Sequence, residues 1–168
     1  MNGPRRFTLS SRELVVLGLS TALLFAVQIA LAALPNIEMV SLLIVLYTRR
    51  FRWKTLLIIY AFALLEGAFY GFGFWFINYL YVWTILWSAA LLLAPMRETL
   101  GWVVFLAAYG LFFGVLCSIP YLFVGGPATM LGYILSGIPF DLVHAAGNAA
   151  VAAAFFKPLD KLMDRLNL

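Results

Sequence analysis

Asp141, His144 and Asn148 stand at i, i+3 and i+7, a spacing that lays them in one polar stripe along a helix. Within a segment as apolar as residues 139–156, such a stripe faces a cavity or the bundle interior, as a ligand-binding wall or as satisfied interior hydrogen-bonding groups. As a metal centre it is poor, because Asp141 and His144 offer at most two ligands and Cys117 belongs to another segment. No metal or cofactor is expected. Glu66 sits among Ala63, Leu64, Leu65 and Gly67. An unpaired carboxylate at membrane depth costs about 2.5 to 3.5 kcal/mol on insertion scales, which makes Glu66 either a ligand contact or a neutral acid bonded to a neighbouring helix. Glu38 joins Glu66 and Asp141 in regions without any Lys or Arg.

More than half of residues 69–87 are aromatic, including Tyr70, Trp75, Tyr79 and Trp83. Such a density builds an interfacial belt, or an aromatic-walled site for a flat ring or a cation. Hydrolytic chemistry is not supported. Ser136 and His144 lie eight residues apart on one segment, and Ile134 stands where a rhomboid-type intramembrane protease carries the first Gly of Gly-x-Ser-Gly. There is no phosphate-binding Gly-Lys-Ser/Thr loop, so ATP energy would have to come from another subunit. The chain is not expected to be an enzyme.

The elements that position these residues follow from composition. Of 168 residues, 65% are hydrophobic, 17% aromatic and only 11% charged, with a mean hydropathy of +1.02. Soluble domains carry about 25% charge, so this is a membrane protein, all-α, and residues 1–168 form one domain. At about 20 residues per span, six helices leave only loops and tails. Apolar runs cover 14–34, 37–47, 55–70, 77–93, 100–119 and 139–156. The second is short, covering about half the hydrocarbon thickness unless tilted or shielded by protein. Pro120, Gly125, Gly126 and Pro127 mark 120–138 as irregular, a long loop with a helical turn at 128–135, and helix six is expected to end at Lys157-Pro158. One cysteine excludes an internal disulfide.

The net charge of +4 would suggest a nucleic-acid partner for a soluble protein. Here every base lies in the N-terminal tail (Arg5, Arg6, Arg12), in 49–54, at Arg97 or at the C-terminus (Lys157, Lys161, Arg165), so no nucleic acid is expected. By the positive-inside rule both termini are cytoplasmic in a multi-pass plasma-membrane protein. A cleaved signal peptide with five remaining helices is the competing reading; the apolar run from Leu14 exceeds the usual ~7 to 15-residue core of such signals.

Gly18, Ala22 and Ala26 form a small-residue face on helix one that admits close helix approach. Together with Leu34-Pro35-Asn36-Ile37-Glu38 leading into a short second helix, the basic second loop, and 139–148 followed by Lys157-Pro158-Leu159, this face resembles the substrate-binding S components of energy-coupling factor vitamin transporters. The likeness covers nearly the whole chain. It implies a compact six-helix bundle that captures a vitamin-like molecule on the outer side, with Glu38, Glu66, Tyr70, Trp75, Tyr79, Trp83, Asp141, His144 and Asn148 as binding candidates. It also implies docking through Gly18, Ala22 and Ala26 onto a transmembrane coupling subunit with two ATPase subunits, and loops near Pro35 and Gly125 that cover the ligand.

With three acids and no base in the outer half, biotin, folate and pantothenate are disfavoured. A cationic heterocycle such as thiamine, or a neutral amide-rich molecule such as cobalamin, fits better. The rival from another class is a small membrane scaffold, a cell-shape or assembly protein without a ligand.

Overall fold

The computed structural model describes residues 9–166. Regular structure among them is helical throughout. Helix α1, Ser11–Leu31, opens with a capping box: the Ser10 hydroxyl accepts from the Glu13 N–H, and the Glu13 carboxylate accepts from the Ser10 N–H. It ends three residues before the expected Leu34. The turn that follows carries Asn36 at φ 59, a left-handed conformation that Asn tolerates better than most side chains.

Helix α2, Val40–Phe51, is only 12 residues long, about 18 Å. Every residue from 40 to 48 is buried, so the short helix is shielded by protein on all sides rather than by lipid. Arg49 and Arg50 fall in its last turn, where positive charge complements the carbonyl end of the helix. A 3₁₀ turn, Arg52–Lys54, leads into α3, Thr55–Tyr70, whose bounds are those the sequence predicts.

The expected fourth helix, 77–93, starts earlier and is interrupted: α4, Phe74–Tyr79, is followed by α5, Val82–Leu92. The expected fifth is likewise α6, Thr99–Leu111, and α7, Phe113–Cys117. The largest correction concerns 120–138. This stretch is helical, and from Pro127 it is continuous with helix six; α8, Ile119–Arg165, is thus two helices joined across a kink at Gly126, where φ 74 and ψ −174 suit only glycine.

Pro139 and Pro158 lie inside α8 without ending it. Each removes one backbone hydrogen bond, and side-chain contacts on either side of Pro158 fasten the helix to its neighbours. Before Pro139, Tyr133 stacks on Tyr121 with ring centroids 4.4 Å apart. Around Pro158, Phe156 stacks on Trp102 and Asp160 pairs with Arg49 and Arg50. Residues 127–165 would extend about 58 Å as one helix, roughly twice the hydrocarbon thickness of a bilayer.

Helix α1 packs on α3, α2 on α5, and α6 on α8. The packing of α6 and α7 on α8 is set by two glycines one turn apart. A Cβ at Gly110 would come within 2.9 Å of the His144 backbone, and one at Gly114 would collide with the Asp141 carboxylate. Gly110-x-x-x-Gly114 is thus the strip that brings these helices together. Four helical stretches are long and apolar enough to cross a membrane: Ser11–Leu31, Val40–Tyr70, Phe74–Leu92 and Ile119–Arg165. Thr99–Leu111 is a shorter apolar helix. The chain is therefore compatible with a membrane location.

Candidate functional site

The turn after α1 brings Glu38 to the start of α2, where its Oε2 accepts the Ser41 N–H at 2.8 Å. The other oxygen, Oε1, lies 3.3 Å from His144 Nε2 on α8. An ionised carboxylate only accepts, so this contact requires the tautomer with hydrogen on Nε2. Gly147 lets the turn lie this close, since a Cβ there would stand 3.0 Å from the Asn36 carbonyl. His144 is 4% exposed, so the pair is largely withdrawn from water.

These two residues line a cavity of about 190 Å³ together with Gln28, Asn36, Tyr79, Trp83, Phe113 and apolar residues of the 31–37 turn. One wall is a run of rings that crosses the bundle from α3 to α8. Phe62 stacks on Tyr79 at 6.1 Å, Tyr79 meets Trp83 edge-on at 5.4 Å, Trp83 tilts against Phe113 at 5.6 Å, and Phe113 meets the His144 ring at 4.9 Å. Trp83 is 3% exposed and its Nε1–H has no hydrogen-bond partner among the described residues. A buried donor left unbonded costs about 1 to 3 kcal/mol; Trp83 lines the cavity, but this nitrogen is itself enclosed by protein.

A second cavity, about 340 Å³, adjoins the first and shares Asn36 and Phe113 with it. Gly114, Cys117, Tyr133, Ser136, Gly137, Phe140 and Asp141 complete its lining. Asp141 Oδ1 accepts the Gly114 N–H at 2.9 Å, so one of its oxygens already serves the α7–α8 junction. Together the cavities are lined by two carboxylates, an imidazole and several aromatic side chains. Among the described residues no three His, Cys, Asp or Glu side chains converge as a metal site.

Of the predicted binding residues, Glu38, Tyr79, Trp83 and His144 share the first cavity, and Asp141 lies in the second. Asn148 departs from the stripe: its Nδ2 donates to the Leu106 carbonyl at 3.3 Å and ties α8 to α6. Trp75 contacts Tyr79 edge-on at 4.9 Å behind the cavity wall. Tyr70 is half exposed and packs on Phe69 instead. Glu66 is only 2% exposed and its Oε1 has no hydrogen bond among the described residues. It lines neither cavity, although it lies within electrostatic reach of Tyr79. Gly18, Ala22 and Ala26 are all exposed on the outside of α1, and nothing comes within 4 Å of a Cβ built on Gly18.

Sequence reasoning passed over Gln28, Asn36, Phe113 and Tyr133 as cavity residues. The signal for Phe113 was present in Gly110-x-x-x-Gly114, which marks the face of that segment that meets another helix.

At the other end of α2 the charges gather. Arg49 and Arg50 bind Asp160 at 3.0 and 2.8 Å, and Arg50 also reaches Asp164. Lys54 pairs with Glu13 at the start of α1. Arg49 additionally lies over the Trp102 and Phe156 rings. Arg5 and Arg6 lie outside the described residues. No protein family, curated protein or solved structure matched the chain.

Proposed function

We propose that this chain is the substrate-binding S component of an energy-coupling factor transporter, a six-span bundle that captures a small water-soluble nutrient in the Glu38–His144 cavity. The observation that carries the proposal is that cavity: a part-buried carboxylate on a buried imidazole, beside a cross-bundle run of aromatic rings, at the opposite end of α2 from the Arg49–Arg50–Asp160 cluster. In this reading the spans are α1, α2, α3, α4 with α5, α6 with α7, and α8 from about Pro139 onward. The clustered bases near Lys54 and Asp160 mark the cytoplasmic side with both termini, in a plasma membrane. The cavity then opens outward, Gly18, Ala22 and Ala26 face a coupling subunit, and that subunit's two ATPase partners supply the energy.

The ligand class follows from the wall. Glu38 retains acceptor capacity beyond the Ser41 and His144 contacts. A flat heterocycle with a cationic or donor edge toward Glu38 uses that capacity while stacking on Tyr79, Trp83 or Phe113. A volume of about 190 Å³ lies below the ~300 to 1,000 Å³ common for ligand pockets, which favours a thiamine-sized molecule over a corrinoid. Mass spectrometry of small molecules released from the detergent-purified protein tests the proposal. A single heterocyclic nutrient at near-stoichiometric amount is expected; a protein that releases none and binds none across a vitamin panel would favour the ligand-free scaffold reading.

A further inference from the structure

A further cavity lies away from Glu38 and His144. It encloses about 490 Å³ between the start of α1 and the 3₁₀ turn after α2, and is lined by Ser10, Arg12, Glu13, Val16, Leu17, Arg50, Phe51, Arg52, Trp53 and Lys54. Four cations face one carboxylate, and that carboxylate is taken up by Lys54 and Ser10. Arg50 is likewise engaged, with Asp160 and Asp164. Arg12 and Arg52, by contrast, have no ion-pair partner among the described residues.

Arg52 is unusual in a second way. Its backbone sits at φ 52 and ψ −121, a conformation that favours glycine. The indole of Trp87 holds that backbone in place by donating to the Arg52 carbonyl at 2.9 Å. Glycine would be easier to place here, yet the position carries a guanidinium at the mouth of a basic groove.

The remaining walls identify the occupant. Val16, Leu17 and Phe51 make one side apolar, and that side continues into Val15 and Leu19, which are exposed on the outer face of α1. Trp53 and Trp87 lie at the same level, as tryptophans do where apolar spans meet headgroups. We infer that this groove binds the headgroup of an anionic phospholipid, with its phosphodiester between Arg12 and Arg52 and its acyl chains along Val16 and the exposed face of α1. A soluble phosphate ester would use the cations and leave the apolar wall without a role. The inference does not depend on what the Glu38–His144 cavity takes.

The test uses the full chain purified in a neutral detergent and titrated with phosphatidylglycerol, with phosphatidylcholine and with inorganic phosphate, read by native mass spectrometry and thermal unfolding. Retention and thermal stabilisation by phosphatidylglycerol alone are expected, weakening as salt is raised. Arg12→Gln and Arg52→Gly should each lower phosphatidylglycerol affinity roughly fivefold. Arg52→Gly should also unfold at the same or a higher temperature than the parent without lipid, because it relieves the left-handed backbone, and so separates lost binding from lost folding. Equal retention of the two lipids, unchanged affinity in both variants, or competition by inorganic phosphate in the concentration range of the lipid would overturn the inference. Nutrient binding at the far end of α2 should be unaltered in both variants, and its failure would bear only on the transport reading.

Discussion

Glu38 and His144 are separated by 106 residues and meet at 3.3 Å, joining the turn before α2 to the middle of α8. The same carboxylate caps the first turn of α2 through the Ser41 N–H. One side chain therefore sets the geometry of the cavity mouth and supplies its negative charge. Glu38→Gln should keep much of the shape and remove the charge. Hydrogen bonds to charged groups contribute about 1.5 to 3 kcal/mol, so nutrient affinity should fall about tenfold or more, measured by calorimetry. His144→Ala should weaken binding as well, and unchanged affinity in both variants would remove the pair from the site.

The packing of α6 and α7 on α8 depends on two glycines. Gly110→Ala places a methyl group against the His144 backbone, and Gly114→Ala one against the Asp141 carboxylate that accepts the Gly114 N–H. Overpacking of this kind costs about 1 to 3 kcal/mol, and both variants should unfold at lower temperature. Gly18→Ala, where a Cβ meets nothing within 4 Å, should show no such loss and serves as the control.

Asp160 accepts from Arg50 and forms an ion pair with Arg49, while Arg50 also holds Asp164, so the C-terminal part of α8 is fastened to the end of α2. Asp160→Asn leaves two guanidinium groups with reduced compensation in a partly buried site. Thermal stability should drop by an amount equivalent to about 1 to 3 kcal/mol, and the gap from the parent should narrow as salt is added.

The open face of α1 makes a separate prediction. Ala22→Trp and Ala26→Trp should abolish co-purification with a coupling subunit and uptake, because bulky side chains keep a second helix at a distance. Nutrient binding by the isolated chain should be unaffected. Intact complex formation in both variants would reject this face as the docking surface.

Much of this arrangement was legible in residue order, and the misreadings have physical causes. The i, i+3, i+7 spacing placed Asp141, His144 and Asn148 on the same helix, and surroundings without Lys or Arg singled out Glu38, which the fold sets against His144. What spacing could not say is which polar groups are consumed by the fold: Asn148 is spent on the Leu106 carbonyl, and one Asp141 oxygen on Gly114. Helix six was read as starting at Pro139 and ending at Pro158, yet it begins before the first and runs past the second to Arg165, with Asp160 paired to Arg49 and Arg50. Ring contacts such as Phe113 with His144 join residues 31 positions apart and depend on a helix pairing that only Gly110 and Gly114 announce.

The most direct test is equilibrium binding of a vitamin panel to the purified chain, with Glu38→Gln and Glu66→Gln beside the parent. The transport reading predicts tight binding of one cationic or neutral nitrogen heterocycle, with anionic biotin, folate and pantothenate excluded and the affinity reduced in Glu38→Gln. Tight binding of an anionic vitamin, or no binding by any member of the panel, would contradict it.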